Sequence, residues 1–263
     1  VYTTVPSISS PFKLGAPGEL LGRIGEDRQA GLTGETGRYP KIIPLLIKVK
    51  DLDRGTEQTM ALQVVQDEQM GALLCETSVF NVVDQVLDRT GEGTASVKFH
   101  VAAVDTPDDQ QIERSNMFYH PANISGSITD EFYEAINMLL MNRFHPVTIM
   151  DVGVEVEVTG ARKTGNITAA RALEKQVHPG ETVELEVKFD TWRGGAQTRT
   201  AKFTVPKEQK PGDMRLVVRG GAGMAWLQLL MKQQEQTALR KTKKKELAFE
   251  EIMTDFLKQD RNN

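Results

Sequence analysis

The residues able to do chemistry in this chain are few and widely separated. Nucleophilic catalysis needs a Ser or Cys, a base within hydrogen-bond reach and a group that orients the base. The single cysteine, Cys75, precedes an apolar helical run by a few positions, and a helix N-terminus can lower a thiol pKa. Its neighbours Leu73 and Leu74 favour the other reading, a small core residue. His100 falls on the polar side of an alternating segment, as an exposed surface residue or as a base or pH-sensitive group. Structural zinc requires Cys or His at short paired spacing. Here the histidines, His100, His120, His145 and His178, are 20, 25 and 33 residues apart, so no metal ligand is assigned. Asp105, Asp108 and Asp109 lack the graded spacing and central glycine of an EF-hand and read as a solvated loop.

Two further motifs point weakly to anions. Gly220-Gly221-Ala222-Gly223 could present backbone N–H groups to a phosphate, but it lacks the Gly-Lys-Ser/Thr ending of a P-loop and reads as a strand-to-helix turn. The basic run Arg240 to Lys245 has no interleaved aromatic platform, which favours a solvated linker or helix start over a nucleic-acid site. No catalytic, cofactor-binding or metal residue is therefore assigned.

The elements that must carry these residues divide near residue 150. A glycine-dense stretch, Gly15 to Gly37, implies repeated tight turns or close backbone approach. Ile42–Val49 reads as a strand, with Pro44 favouring an edge or a bulge, and Ala61–Val65 as another. Residues 78–88 place Val79, Val82, Val83, Val86 and Leu87 on one helical face. Ser96–Val104 alternates Val97, Phe99 and Val101 with Lys98, His100 and Ala102, as a half-buried strand does. Ser127 reads as the N-cap of a helix carrying Phe132, Ile136, Leu139 and Leu140, with Asp130 completing a capping box and Pro146 ending the helix. Beyond residue 150 the pattern is mostly β. Val152, Val154, Val156 and Val158 alternate with Gly153, Glu155 and Glu157. Val183, Leu185, Val187 and Phe189 alternate with Glu184, Glu186 and Lys188. Turn signals separate such runs, at Thr159-Gly160, His178-Pro179-Gly180, Arg193-Gly194-Gly195 and Lys210-Pro211-Gly212. A helix is expected over Ala225–Gln234, and a last amphipathic helix carries Phe249, Ile252, Met253, Phe256 and Leu257.

Composition bounds the class. The 263 residues suffice for one large domain or two modest ones. A hydrophobic content of 39% and a charged content of 26% are those of a folded globular chain, which argues against overall disorder. The formal charge of -4 gives no general reason to expect nucleic acid or an anionic membrane as partner. No apolar run reaches the length of about 18 residues that a membrane-spanning helix needs. One cysteine permits no internal disulfide. The opening Val1-Tyr2-Thr3-Thr4-Val5 reads like a strand without initiator Met or signal peptide, as expected of a fragment or matured product.

A resemblance is carried by the first fifty residues. Phe12-Lys13-Leu14-Gly15-Ala16-Pro17-Gly18, Gly22-Arg23-Ile24 and Asp27-Arg28-Gln29-Ala30-Gly31-Leu32-Thr33-Gly34 resemble the turn-rich stretch that follows the Gly-His motif of SpoIVB-type serine peptidases. Later features, Val177–Val183, Arg193-Gly194 and Pro206–Gly212, resemble the C-terminal extension of the larger, non-sporulation members. The family nucleophile sits in a Met-Ser-Gly-Ser-Pro turn and its base in Gly-His. Neither occurs here: Ile124-Ser125-Gly126-Ser127 lacks the Met and is followed by Ile128, and no histidine follows a glycine. No catalytic residue is carried over.

The resulting expectation is an α+β, β-dominated chain. Residues 1–150 form the C-terminal part of a barrel-like peptidase domain with packed helices. Residues 151–263 form an antiparallel β-sandwich module with trailing amphipathic helices. The resemblance implies the scaffold and substrate- or partner-binding portion of a bacterial serine endopeptidase of the cell envelope, with nucleophile and base outside this chain. The alternative is a non-enzymatic envelope protein-binding or assembly module. The partner in either case is a protein or peptide.

Overall fold

The computed structural model describes residues 3–4, 16–17, 19, 21–106, 111–220, 248–259 and 261–262. In chain order the strands are β1 (Thr3–Thr4), β2 (Ala16–Pro17), β3 (Gly22–Arg28), β4 (Gly31–Thr36), β5 (Ile42–Asp51) and β6 (Thr56–Val65). Helix α1 (Gly71–Leu87), β7 (Gly93–Val104), β8 (Ile112–His120), a 3-10 turn (Ser125–Ser127) and α2 (Asp130–Leu140) follow. The chain continues with β9 (Thr148–Thr159), β10 (Gly165–Ala172), β11 (Thr182–Thr191), β12 (Gly195–Thr204) and α3 (Phe249–Leu257). The architecture is α+β and β-dominated, as expected, and the described sheets do not close into a barrel.

A five-stranded mixed sheet in the order β6-β5-β9-β7-β8 forms the main body. The hairpins β5–β6 and β7–β8 are antiparallel; β9 inserts between them, parallel to β5 and antiparallel to β7. The division expected at residue 150 thus falls inside the central strand, and residues 151–159 belong with the first sheet. The physical reason is burial: Val152, Val154, Val156 and Val158 all face the main core, where an interior strand is needed between two hairpins. Pro44, expected at an edge or bulge, lies in an interior strand. Its missing N–H is tolerated because the parallel ladder to β9 begins one residue later, at Leu45 and Val152.

One face of this sheet is covered. Val79, Val82, Val83, Val86 and Leu87 of α1 are buried against it, together with Phe132, Ile136, Leu139 and Leu140 of α2. Phe99 and Phe132 meet edge to face with centroids 5.6 Å apart. Helix α1 starts earlier than its valine spacing suggests, at Gly71, so Cys75 is inside the helix rather than ahead of it. The N-cap of α2 is Thr129, not Ser127. Ser127 instead sits in the 3-10 turn and donates its hydroxyl to the Asn123 carbonyl, while the Thr129 hydroxyl donates to Glu76. Phe249, Met253 and Phe256 of α3 return to the same core. Buried Arg114 on β8 ties α3 to α2, with Nε 2.6 Å from Glu131 and other nitrogens donating to the carbonyls of Phe256 and Gln259.

Three smaller sheets accompany the main sheet, of which β1 and β2 form a short antiparallel pair. β3 and β4 form a two-stranded ribbon; a Cβ on Gly22 would lie 2.0 Å from the Glu35 carbonyl oxygen, so the strands close there only with glycine. β10-β11-β12 form an antiparallel sheet whose own small core is Val183, Leu185 and Val205, packed by Phe203, Met214, Leu216 and Val218. Residues 205–218 therefore cover one half of one face of this sheet. The expected helix over 225–234, the basic run 240–245 and most of the 220–223 loop lie outside the described residues.

Candidate functional site

The uncovered face of the five-stranded sheet brings the sequence-predicted histidine into a cleft. Strand alternation points Leu46, Lys48, Lys98, His100, Glu113, Ser115, Gly153 and Glu155 away from the helices. Register then arranges them in two transverse rows, Leu46–Gly153–His100–Glu113 and Lys48–Glu155–Lys98–Ser115. The rows line a cleft of about 490 Å³, with Arg261 at its border.

Gly153 makes the hollow. With no Cβ there, the His100 ring lies over the glycine; a Cβ would fall 2.2 Å from its Cε1 atom. The ring's Nε2 is 2.9 Å from Asp151 Oδ2, and the two side chains are 50% and 59% exposed, so solvent screens this pair. Glu155 is flanked in register by Lys48 and Lys98, opposite charges on neighbouring strands.

Ser115 stands opposite Lys98, two residue pairs along from His100 and Glu113, a diagonal separation of about 7–8 Å between such Cα atoms. An acyl-transfer site also needs backbone donors aimed at an oxyanion. Here β9 and β7 have hydrogen-bonded strands on both sides, so their backbone groups are committed to ladders.

The other predicted residues go elsewhere. Cys75 is fully buried, and burial pushes its thiol up to about 12, the reverse of activation. His120 Nδ1 accepts the Ala122 and Asn123 N–H groups and stabilises a turn; His145 packs edge-on against Phe249. Asp105 takes a left-handed φ of 64°, while Asp108 and Asp109 lie outside the described residues. No cluster of three metal-ligating side chains occurs among the described residues.

Two polar features were not legible from spacing. Asp51, fully buried at the end of β5, accepts the Asp53 and Arg54 N–H groups and pairs with Arg89 at 2.7 Å. Asp53 accepts the Gly160 N–H and the Thr159 hydroxyl, and with Arg89 these hold its carboxyl below the usual range. This clamp joins the β5–β6 turn, the segment after α1 and the end of β9. The second is a basic and aromatic junction between the large and small sheets. Arg162 lies 3.9 Å from the Trp192 ring centroid and 5.0 Å from that of Tyr119.

No family model, no curated protein and no solved structure matches this chain.

Proposed function

We propose that this chain is the scaffold and polypeptide-binding portion of a SpoIVB-type serine endopeptidase, whose nucleophile and base lie outside it. The observation that carries the binding role is the helix-free face of the central sheet, where His100 and Asp151 pair above the β7 and β9 ladders. The family assignment rests on the motifs within residues 1–50. Their described part includes the β3–β4 ribbon, which leaves Ile24 and Leu32 at 56% and 63% exposure, as a surface awaiting a polypeptide partner would.

The test is active-site labelling of the full chain with a serine-directed fluorophosphonate, followed by mass spectrometry. No serine is expected to react. Stoichiometric labelling of Ser115, or of any other serine here, would overturn the reading by making this chain the nucleophile's home. Reading the gene upstream of the Val1 codon separates the two classes of function. A Met-Ser-Gly-Ser-Pro turn and a Gly-His pair there favour the peptidase. Their absence favours an envelope protein-binding module.

A further inference from the structure

The face of the β10-β11-β12 sheet that holds the small core is only half covered. Residues 205–218 pack on Val183, Leu185 and Phe203, at one end of β11 and β12. At the other end the same face continues through Ile167, Phe189, Gln197 and Arg199, in register across the three strands. That open half is the bed of a groove of about 680 Å³, walled by Met117, Arg162 and Lys163. Ile167 is 38% exposed on it.

Charge in the groove is one-sided. Arg162, Lys163 and Arg199 line it, and none of the lining residues is acidic, although the chain as a whole carries more carboxylates than cations. Arg23, Arg28, Arg38, Arg89, Arg114 and Arg171 each have a carboxylate within ion-pair distance. The three groove cations have none among the described residues. Arg162 is also held in place: its Nε donates to the Thr164 hydroxyl at 3.0 Å, and its guanidinium sits between Trp192 and Tyr119. A guanidinium fixed in this way loses little freedom on meeting an anion.

We propose that this groove docks an extended acidic peptide, with carboxylates on Arg162, Lys163 and Arg199 and an apolar side chain on Ile167 and Phe189. The proposal rests on the polypeptide-binding reading and names its partner's chemistry. Nucleic acid fits less well. Single-stranded nucleic acid needs free aromatic faces for its bases. Trp192 is already approached by Arg162 and, at 5.5 Å, by Arg193, while Tyr119 is approached by Arg162 and its hydroxyl donates to Glu92.

Fluorescence anisotropy on the full chain tests this, with a short fluorescein-labelled peptide alternating glutamate and leucine. A lysine–leucine peptide and an oligo-dT strand serve as competitors. The expected result is saturable binding that weakens with salt and drops about tenfold or more in the Lys163→Glu, Arg199→Glu double variant. Lys207→Glu, an exposed reversal on the segment beyond β12, should leave binding unchanged, and circular dichroism should show all variants folded. The proposal falls if the glutamate–leucine peptide does not bind, if the double reversal leaves affinity intact, or if either competitor displaces the peptide. Fluorophosphonate labelling reads a different property, so loss of peptide binding without serine labelling would sink this site and leave the peptidase-scaffold reading standing.

Discussion

At the scale of single residues, the groups that look reactive in the sequence are mostly spent on structure. Cys75 is the clearest case, because burial makes its thiolate costly. Asp53 is the opposite case, a partly exposed carboxylate held ionised by the Gly160 N–H, the Thr159 hydroxyl and Arg89, in that order. Its folded pKa lies below its unfolded one, so it contributes stability above the unfolded value of about 3.9, lost as pH falls through the lower folded value. Asp53→Asn should therefore lower neutral-pH stability by a small amount, because the carboxylate is screened, and flatten the acid limb of the stability curve below about pH 4 by that same amount. Urea midpoints measured from pH 3 to 7 check this. An acid limb identical to that of the parent would mean that other carboxylates govern it.

At the scale of the element, β9 decides what the exposed face can do. Alternation along Val152–Val158 identifies which of its residues turn outward, and both Gly153 and Glu155 are legible in this way. The pairing of His100 with Asp151 is not, because it depends on β9 running antiparallel to β7 with a shift between Ala102 and Ala103. Gly153→Ala tests the glycine's part. Its backbone is extended, and the three atoms nearest the new methyl all belong to the swingable His100 ring. The variant should fold at a cost under about 1 kcal/mol while moving His100 off Asp151. The readout is the His100 imidazole NMR signal, which should respond to Asp151→Asn in the parent and no longer respond in the variant. An unchanged response would show that the ring is not held over the glycine.

At the scale of the molecule, the main core is closed by a segment far away in sequence. Helix α3 inserts Phe249, Met253 and Phe256 beside α2 and β8, and the buried Arg114–Glu131 pair secures it. Met253 is fully buried, so Met253→Ala should destabilise the chain by about 2–5 kcal/mol. Urea unfolding measures this, with exposed Glu250→Ala as a control expected within about 0.5 kcal/mol. Equal effects from the two substitutions would remove α3 from the core.

Periodicity in the sequence was enough to specify the buried faces of α1, α2, α3, β7, β9 and β11, because a side chain's direction follows from local geometry alone. It also specified that the chain is α+β and rich in strands. Strand order was beyond it: nothing local says that residues 148–159 slot between two earlier hairpins rather than begin a new module. Cap identity at α2 turned on a competing bond, Ser127 to the Asn123 carbonyl, that only the folded loop offers. The site residues were hardest to read, because both the His100–Asp151 pair and the Arg162 cage join segments brought together by register and packing. Amphipathic pattern is a property of neighbours along the chain; a binding surface belongs to neighbours across it.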